Sequence, residues 1–415
     1  MNGNEVMLLG LGLTPPWKLV EQELDVESKP HELHLHIEAD RGAQYPCPEC
    51  GMLSSAHDFK DQTWRHLNFF QHHCYVHVRM PRVRCVEHGV KQVKAPWARQ
   101  GSAFTLLFEQ AAMMLVREMP VLAASRIIGV TDKRLWRVVE HYVSEAVSRF
   151  DLSSLQAVGL DETAAKRGQN YVTVFIDMDR RVEPVLFVTP GHGKEAVTSF
   201  RQFMESHRGN PGRIREVVCD MSRAFLAGVG DEFPEAQITV DWFHIVQTFT
   251  RAVDDVRKRE GRDTSMPKHL RWAVLKRAEA GRLTENQVLA LGELAQRNLE
   301  TSTAWRLKES LRWIREAPTP RAARWRITRF IRFGEDLLGE SPVLEPMRKA
   351  LKTLQAHAHQ IARRWTSTYT NARLEGLNGL FQAARARARG YRNTETFISM
   401  IYLIASPAAS MLKST

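Results

Sequence analysis

The chain has 415 residues, room for two to four domains and at least one large core. Fifty-eight Lys and Arg against 47 Asp and Glu leave a net charge of +11 and a pI near 9.6, which favours a polyanionic partner. The apolar run at residues 6–13 is too short for a membrane span and lacks the basic stretch of a signal peptide, and five Cys suit a reducing cytosol better than a disulfide framework. The charge excess is moderate and spread along the chain, so a soluble, cytoplasmic protein is expected, not a membrane or secreted one.

In chain order, residues 1–98 read as short strands, with alternation at 32–38 and in part of 74–84. Leu33, Leu35 and Ile37 fall on one side of the first strand; His34 and His36 fall on the other and read as a solvated face. Within this block Cys47-Pro-Glu-Cys50-Gly51 and Cys85-Val-Glu-His88-Gly89 each place two ligands two residues apart, then a Gly that lets the loop turn. Two such knuckles supply four tetrahedral ligands for one structural zinc, with no open position for catalysis. Cys47, Cys50 and Cys85 are three of the ligands; His88 is the expected fourth, with His72, His73 and His77 as possible substitutes.

Residues 101–150 read as helical, broken by Gly129 between helices at 121–128 and from 131 onward. Small Ala123 and Ala124, a turn glycine, and an apolar face of Ile128, Val130, Leu135, Val138 and Val139 describe a helix-turn-helix. Its second helix would expose Lys133, Arg134 and Arg137 to DNA.

Strands return at 156–160, 171–177, 184–188, 216–219 and 237–240, with a helix near 195–206 between the third and fourth. Three consecutive strands followed by strand–helix alternation predict a mixed sheet flanked by helices. Asp161 and Asp220 each close an apolar strand, where two acids can share divalent cations. Glu162, Asp177, Asp179 and Asp241 compete for the same duty, although Asp177 and Asp179 read as a solvated hairpin turn. Residues 249–360 are helical and rich in Arg and Trp. A last helix at 372–389 starts after Asn371 as N-cap, carries Glu375 in its first turn, and places Arg385 and Arg389 on one face.

The order of zinc knuckles, helix-turn-helix, Gly-Leu-Asp161-Glu, Val-Cys-Asp220-Met-Ser, Val-Asp241-Trp-Phe-His244, Thr-Asn371-Ala-Arg-Leu-Glu375-Gly-Leu-Asn378 and Arg389-Gly-Tyr-Arg-Asn393 resembles bacterial insertion-sequence transposases of the L-three family, of the DDE class. The resemblance covers essentially the whole chain; its departure is His88, where an all-Cys zinc site is usual. It implies a multidomain α/β protein: an RNase H-like mixed-sheet core interrupted by an all-α insertion, preceded by a zinc ribbon and a helix-turn-helix domain. The expected domains are 1–98 (the ribbon at about 40–98), 99–150, 151–248, 249–365 and 366–415. It also implies that Asp161, Asp220 and Glu375 bind Mg or Mn, two ions, with Asp241 and His244 bordering them. The expected partners are double-stranded DNA, as terminal inverted repeats and target, and further copies of the chain in a homodimer or larger assembly. A metal-free transcription regulator is the alternative; it would leave the three acids without a use. A Ser or Tyr recombinase is a further one, with Tyr369 and Tyr391 in the basic C-terminal region.

Overall fold

The computed structural model describes residues 10–40, 42–166, 170–262, 264–266, 268–276, 283–297, 299–369 and 371–411. The chain forms two compact units, residues 1–144 with 411–415, and residues 145–410. Among the described residues no helix is long and apolar enough to cross a membrane.

The first unit is built on a six-stranded sheet: β1 (Trp17–Asp25), β2 (Glu32–Ala39), β3 (Gln44–Pro46), β4 (Leu53–Phe69), β5 (His72–Cys85) and β6 (Gly89–Gln92). The order is β1-β2-β5-β4-β3 with β6 on β5; only β2 and β5 run parallel. Leu33, Leu35 and Ile37 are buried as the alternation predicts. The block is not made only of short strands, however, because β4 and β5 run 17 and 14 residues. The histidine face of β2 is also half-covered: the His34 and His77 rings meet at 2.9 Å, and His36 stacks on His77.

Three helices follow: α1 (Leu106–Glu118), α2 (Val121–Ile128) and α3 (Asp132–Ser148). Leu135, Val138 and Val139 are buried, whereas Ile128 and Val130 are half-buried. Lys133, Arg134 and Arg137 are exposed, and Arg134 lies 4.5 Å over the Phe104 ring. Glu109 of α1, fully buried, accepts hydrogen bonds from Arg99, Ser102 and the Tyr142 hydroxyl of α3, so the trihelical packing has a satisfied charge at its centre.

The second unit holds a five-stranded sheet of β7 (Ala157–Ala164), β8 (Tyr171–Asp177), β9 (Val185–Pro190), β10 (Glu216–Cys219) and β11 (Gln237–Val240), in the order β11-β10-β7-β8-β9. β7, β8 and β9 are antiparallel, and β10 and β11 run parallel to β7, the mixed sheet predicted. On one face Val158, Leu160, Phe175 and Val217 pack against α4 (Lys194–Ser206) and α5 (Arg223–Glu232) through Phe200 and Phe225. A helical block follows from α6 (Trp242–Glu260) through α7 (Leu270–Leu275), α8 (Glu285–Gln296), α9 (Glu300–Arg315), α10 (Pro320–Leu338), α11 (Glu345–Ala356) and α12 (Ala358–Arg363), around its own core. The first helix of this block, α6, runs continuously across the 248/249 boundary expected from the sequence. The chain then returns to the sheet as α13 (Ala372–Arg387) and α14 (Thr394–Ala405).

Gly129 is the sharpest constraint in the first unit. Its φ of 70° is left-handed, and a Cβ there would lie 2.7 Å from Nε2 of His73 on β5. Gly129→Ala should therefore cost about 1–2 kcal/mol for the left-handed backbone plus a steric cost. His73→Ala in the same chain should return only the steric part. Calorimetry of the single and double variants reads this directly; an unchanged transition for Gly129→Ala would contradict it.

Candidate metal centres and acidic site

Cys47 and Cys50 sit on the turn after β3, and Cys85 and His88 on the turn that joins β5 to β6. The β3–β4 and β5–β6 hairpins are fixed by the same sheet, since β4 pairs with β5, and so the two turns come together. All four ligand atoms lie within 4.8 Å of one another. Sγ of Cys50 is 3.6 Å from Sγ of Cys85, and Nδ1 of His88 is 3.5 Å from Cys85 and 4.0 Å from Cys47. A tetrahedron with Zn–S bonds of 2.3 Å has edges of about 3.8 Å, so the donor set and spacing support a structural zinc. Hydrogen bonding from His88 draws the Cys85 thiol down to about 6, toward the thiolate a metal requires. The substitutes are engaged elsewhere: His72 stacks on His31, His73 faces Glu32, and His77 meets Thr63 and His34.

The acids gather on the other unit's sheet. Alternation along β7 turns Val158 and Leu160 toward α4 and α5, and Gly159, Asp161 and Thr163 toward α13. Asp161 does not close its strand: β7 continues to Ala164, and Asp161 stands opposite Val174 of β8. Asp220 directly follows β10 and accepts from the Ser222 amide at 2.8 Å, ahead of α5. Asp241 caps α6 and accepts from the Phe243 amide at 3.1 Å. Glu375 occupies the first turn of α13. Three of these acids thus sit at helix N-termini, where backbone N–H groups and the macrodipole favour negative charge.

Asp220, Asp241 and His244 lie close enough to act on Asp161, and Asp161, Asp241 and His244 close enough to act on Glu375. Burial, then the acids around it, raise Asp161 to about 6 against the opposing pull of His244. Burial, then Asp241, raise Glu375; burial, then Asp220, raise Glu162, with His192 opposing. Asp241 and Glu375 meet side chain to side chain, yet among the described residues no amide, hydroxyl or cationic group donates to the buried Oδ2 of Asp241. Buried oxygens facing one another in this way call for protons or cations. The oxygen-only donor set fits hard divalent ions such as magnesium or manganese. The carboxylates are not drawn into as tight a cage as the cysteines: among the described residues, only the zinc ligands converge within 4.8 Å.

One arrangement was not read from the sequence. The face of α13 toward β7 is polar: Asn378 donates to Asp161 Oδ2 at 2.9 Å, Gln382 to Thr163 Oγ1 at 2.7 Å, and Arg385 to the Ala164 carbonyl at 2.7 Å. With Glu375 these occupy positions i, i+3, i+7 and i+10, one stripe of an α-helix. The spacing was legible; the strand it meets was not.

Other expectations need correction. Arg385 and Arg389 do not share a helix face, because α13 ends at Arg387 and Arg389 adopts a left-handed φ of 58° before Gly390. Asn371 holds the N-cap position but makes no capping bond, and its buried amide is unpaired. Asp177 is half-buried and its pKa is raised by burial, not solvated; Asp179 is exposed and accepts from Tyr369 at 2.6 Å. The tyrosines are poor nucleophile candidates. Burial pushes Tyr369 and Tyr391 up to about 12 each, keeping both phenols neutral.

The family comparisons agree with this layout. A profile described as a transposase, of the ISL3 group, matches residues 158–401. A helix-turn-helix domain of transposase family ISL3 matches 93–143, and the zinc-finger of transposases IS204, IS1001, IS1096 and IS1165 matches 44–88. These matches define a transposase with a DNA-binding helix-turn-helix. More particularly, the chain belongs to the ISL3 family of insertion-sequence transposases. It is 25% identical over 367 residues to the transposase for insertion sequence element IS1001 of Bordetella parapertussis, covering 86% of this chain and 87% of that one. It is 26% identical over 299 residues to the transposase for IS1557 of Mycobacterium tuberculosis, covering 65% and 66%.

The raised pKa of Asp161 carries a sign. Its folded value, about 6, exceeds the reference 3.8, so the folded state binds more protons in that window and loses stability as pH rises through it. With chelator present, Asp161→Asn should therefore stabilise the second unit by roughly 2 kcal/mol at neutral pH and by little near pH 4. Thermal unfolding of the two proteins against pH tests this; an Asn variant less stable at neutral pH would contradict it.

Proposed function

We propose that this ISL3-family transposase is a DDE enzyme with an RNase H-like core, whose Asp161, Asp220 and Glu375 hold divalent metal for cutting and joining DNA. The observation that carries the reading is the convergence of acids from β7, β10 and the first turn of α13, three segments spread over more than half of the chain. The strand order, three antiparallel strands followed by two parallel ones, supports the RNase H-like assignment. Magnesium or manganese, two ions in this reading, supplies a bound water of lowered pKa and neutralises charge on the phosphodiester.

The protein's own groups then have separate tasks. Asp161, Asp220 and Glu375 are the ligands; Asn378 orients Asp161 by donating to Oδ2. Asp241 and His244 border the site, His244 opposing the excess of negative charge. Water attacks phosphorus at the transposon end and the 3′ oxygen leaves as a hydroxyl. That hydroxyl loses its proton and attacks a target phosphodiester by in-line displacement; the target strand's P–O3′ bond breaks, its 3′ oxygen leaves as a hydroxyl, and no protein–DNA covalent bond forms.

Terminal inverted repeats are read by the zinc ribbon and by Lys133, Arg134 and Arg137, with target and flanking DNA held partly by Arg389. Arg385, bonded to β7, positions more than it binds. Joining two ends calls for a homodimer or larger assembly on DNA, in the bacterial cytoplasm and nucleoid. The proposed domains are those of the sequence reading, with the insertion beginning at α6 instead of at 249.

Purified protein incubated with a labelled terminal-repeat duplex should nick it only with Mg or Mn. Asp161→Ala, Asp220→Ala and Glu375→Ala should each reduce nicking to background while terminal-repeat binding persists. Ordinary nicking by Glu375→Ala would refute the triad; binding with no nick under any metal would favour a regulator.

A further inference from the structure

A cavity of about 470 Å³ lies in the helical insertion between α6 and α9. From α6 it is lined by Phe243, Gln247 and Thr250, positions i, i+4 and i+7 of one stripe; from α9 by Arg312 and Arg315, and by Glu309, whose carboxylate pairs with Lys308 at 2.7 Å. Phe243 remains 42% exposed although it is a large aromatic beside a concave wall. Its ring is 5.9 Å from the His244 ring, and His244 in turn acts electrostatically on Asp161 and Glu375. One helix therefore carries Asp241 and His244 toward the acids and, on an adjacent stripe, an aromatic and two hydrogen-bonding side chains into a cavity.

We infer that this cavity receives a single nucleotide, unstacked from the DNA flanking the phosphate at the acids. The inference rests on the proposed DNA-cutting role of those acids. The volume falls within the roughly 300–1,000 Å³ of small-molecule sites, and a duplex is too broad to enter such a cavity. An exposed aromatic face offers stacking that any base can use and a phosphate cannot. Gln247 and Thr250 can bond a base edge that has lost its pairing partner, and the guanidinium groups of Arg312 and Arg315 complement the phosphate attached to it.

Because extruding a base costs least where it is mispaired, wild-type protein should prefer a mispair at the right position. The test measures anisotropy of full-length protein, without divalent metal, on terminal-repeat duplexes with flanking DNA. These are fully paired or carry one mispair, moved stepwise across the cleavage position. Wild type should bind one mispaired duplex about tenfold more tightly than the paired one. Phe243→Ala should lose most of that gain, and Gln247→Ala, a milder change on the same stripe, part of it. An abasic site at that position should give less gain than a mispair, since it offers nothing to stack. The inference is overturned if no mispair position improves wild-type binding, or if both variants keep the full gain. Metal-dependent nicking of the paired duplex in parallel separates the outcomes: nicking without mispair preference removes the nucleotide pocket alone. Absence of both nicking and terminal-repeat binding removes the DNA-cutting reading as well.

Discussion

The proposed function depends on how α13 lies on β7. Glu375 is separated in sequence from Asp161 and Asp220 by the whole helical insertion, so nothing local holds it near them. The stripe of Asn378, Gln382 and Arg385 does so, bonded successively to Asp161, Thr163 and Ala164. Hydrogen bonds that involve a charged group contribute about 1.5–3 kcal/mol each, enough to fix both the register and the tilt of a short helix. Gly159 makes the approach possible, since a Cβ there would come within 2.9 Å of Cδ1 of the fully buried Leu374 and within 2.6 Å of Met178 Sδ. Leu374 is the residue just before Glu375. Small size on the strand is thereby converted into placement of the acid.

Burying these acids, and then gathering them, has a cost, visible in the upward shifts of Asp161, Glu162 and Glu375, each raised first by burial and then by neighbouring acids. The fold offsets part of that cost at helix starts. Asp220, Asp241 and Glu375 sit at the starts of α5, α6 and α13, and backbone N–H groups serve Asp220 and Asp241 directly. His244 and His192 lend mild positive bias. The residual repulsion is what a site must retain if a cation is to be held strongly. The first unit solves a different problem: a closed set of three cysteines and a histidine ties two turns together, which suits a structural ion and leaves no coordination position for chemistry.

Much of this was legible in the sequence, for identifiable physical reasons. Knuckle spacing, the Ala-rich helix crossing with its turn glycine, and the run of β-rich segments are short-range signals, and each produced the expected element. Asp161 was misplaced at a strand end because Glu162, Thr163 and Ala164 look like a polar turn. They are strand residues only because β8 pairs with them and α13 bonds them. β4 was hard to read because most of its residues are exposed or half-buried on both faces, so no alternation marks it. α13 carries little apolar periodicity for the same kind of reason: its sheet-facing stripe is polar. Arg389 looked helical until Gly390 and its own left-handed φ ended the helix early. The failures cluster where polar tertiary contacts, not burial of apolar surface, decide local structure.

The most direct measurement substitutes iron(II) for magnesium and uses ascorbate and peroxide to generate hydroxyl radicals at the bound ion. Backbone cuts are then mapped by mass spectrometry. If β7, β10 and the start of α13 share one metal site, cuts should group near Asp161, Asp220 and Glu375 and be suppressed by excess magnesium. Cuts at Asp161 and Asp220 with none near Glu375, or magnesium-insensitive cuts scattered along the chain, would contradict the account.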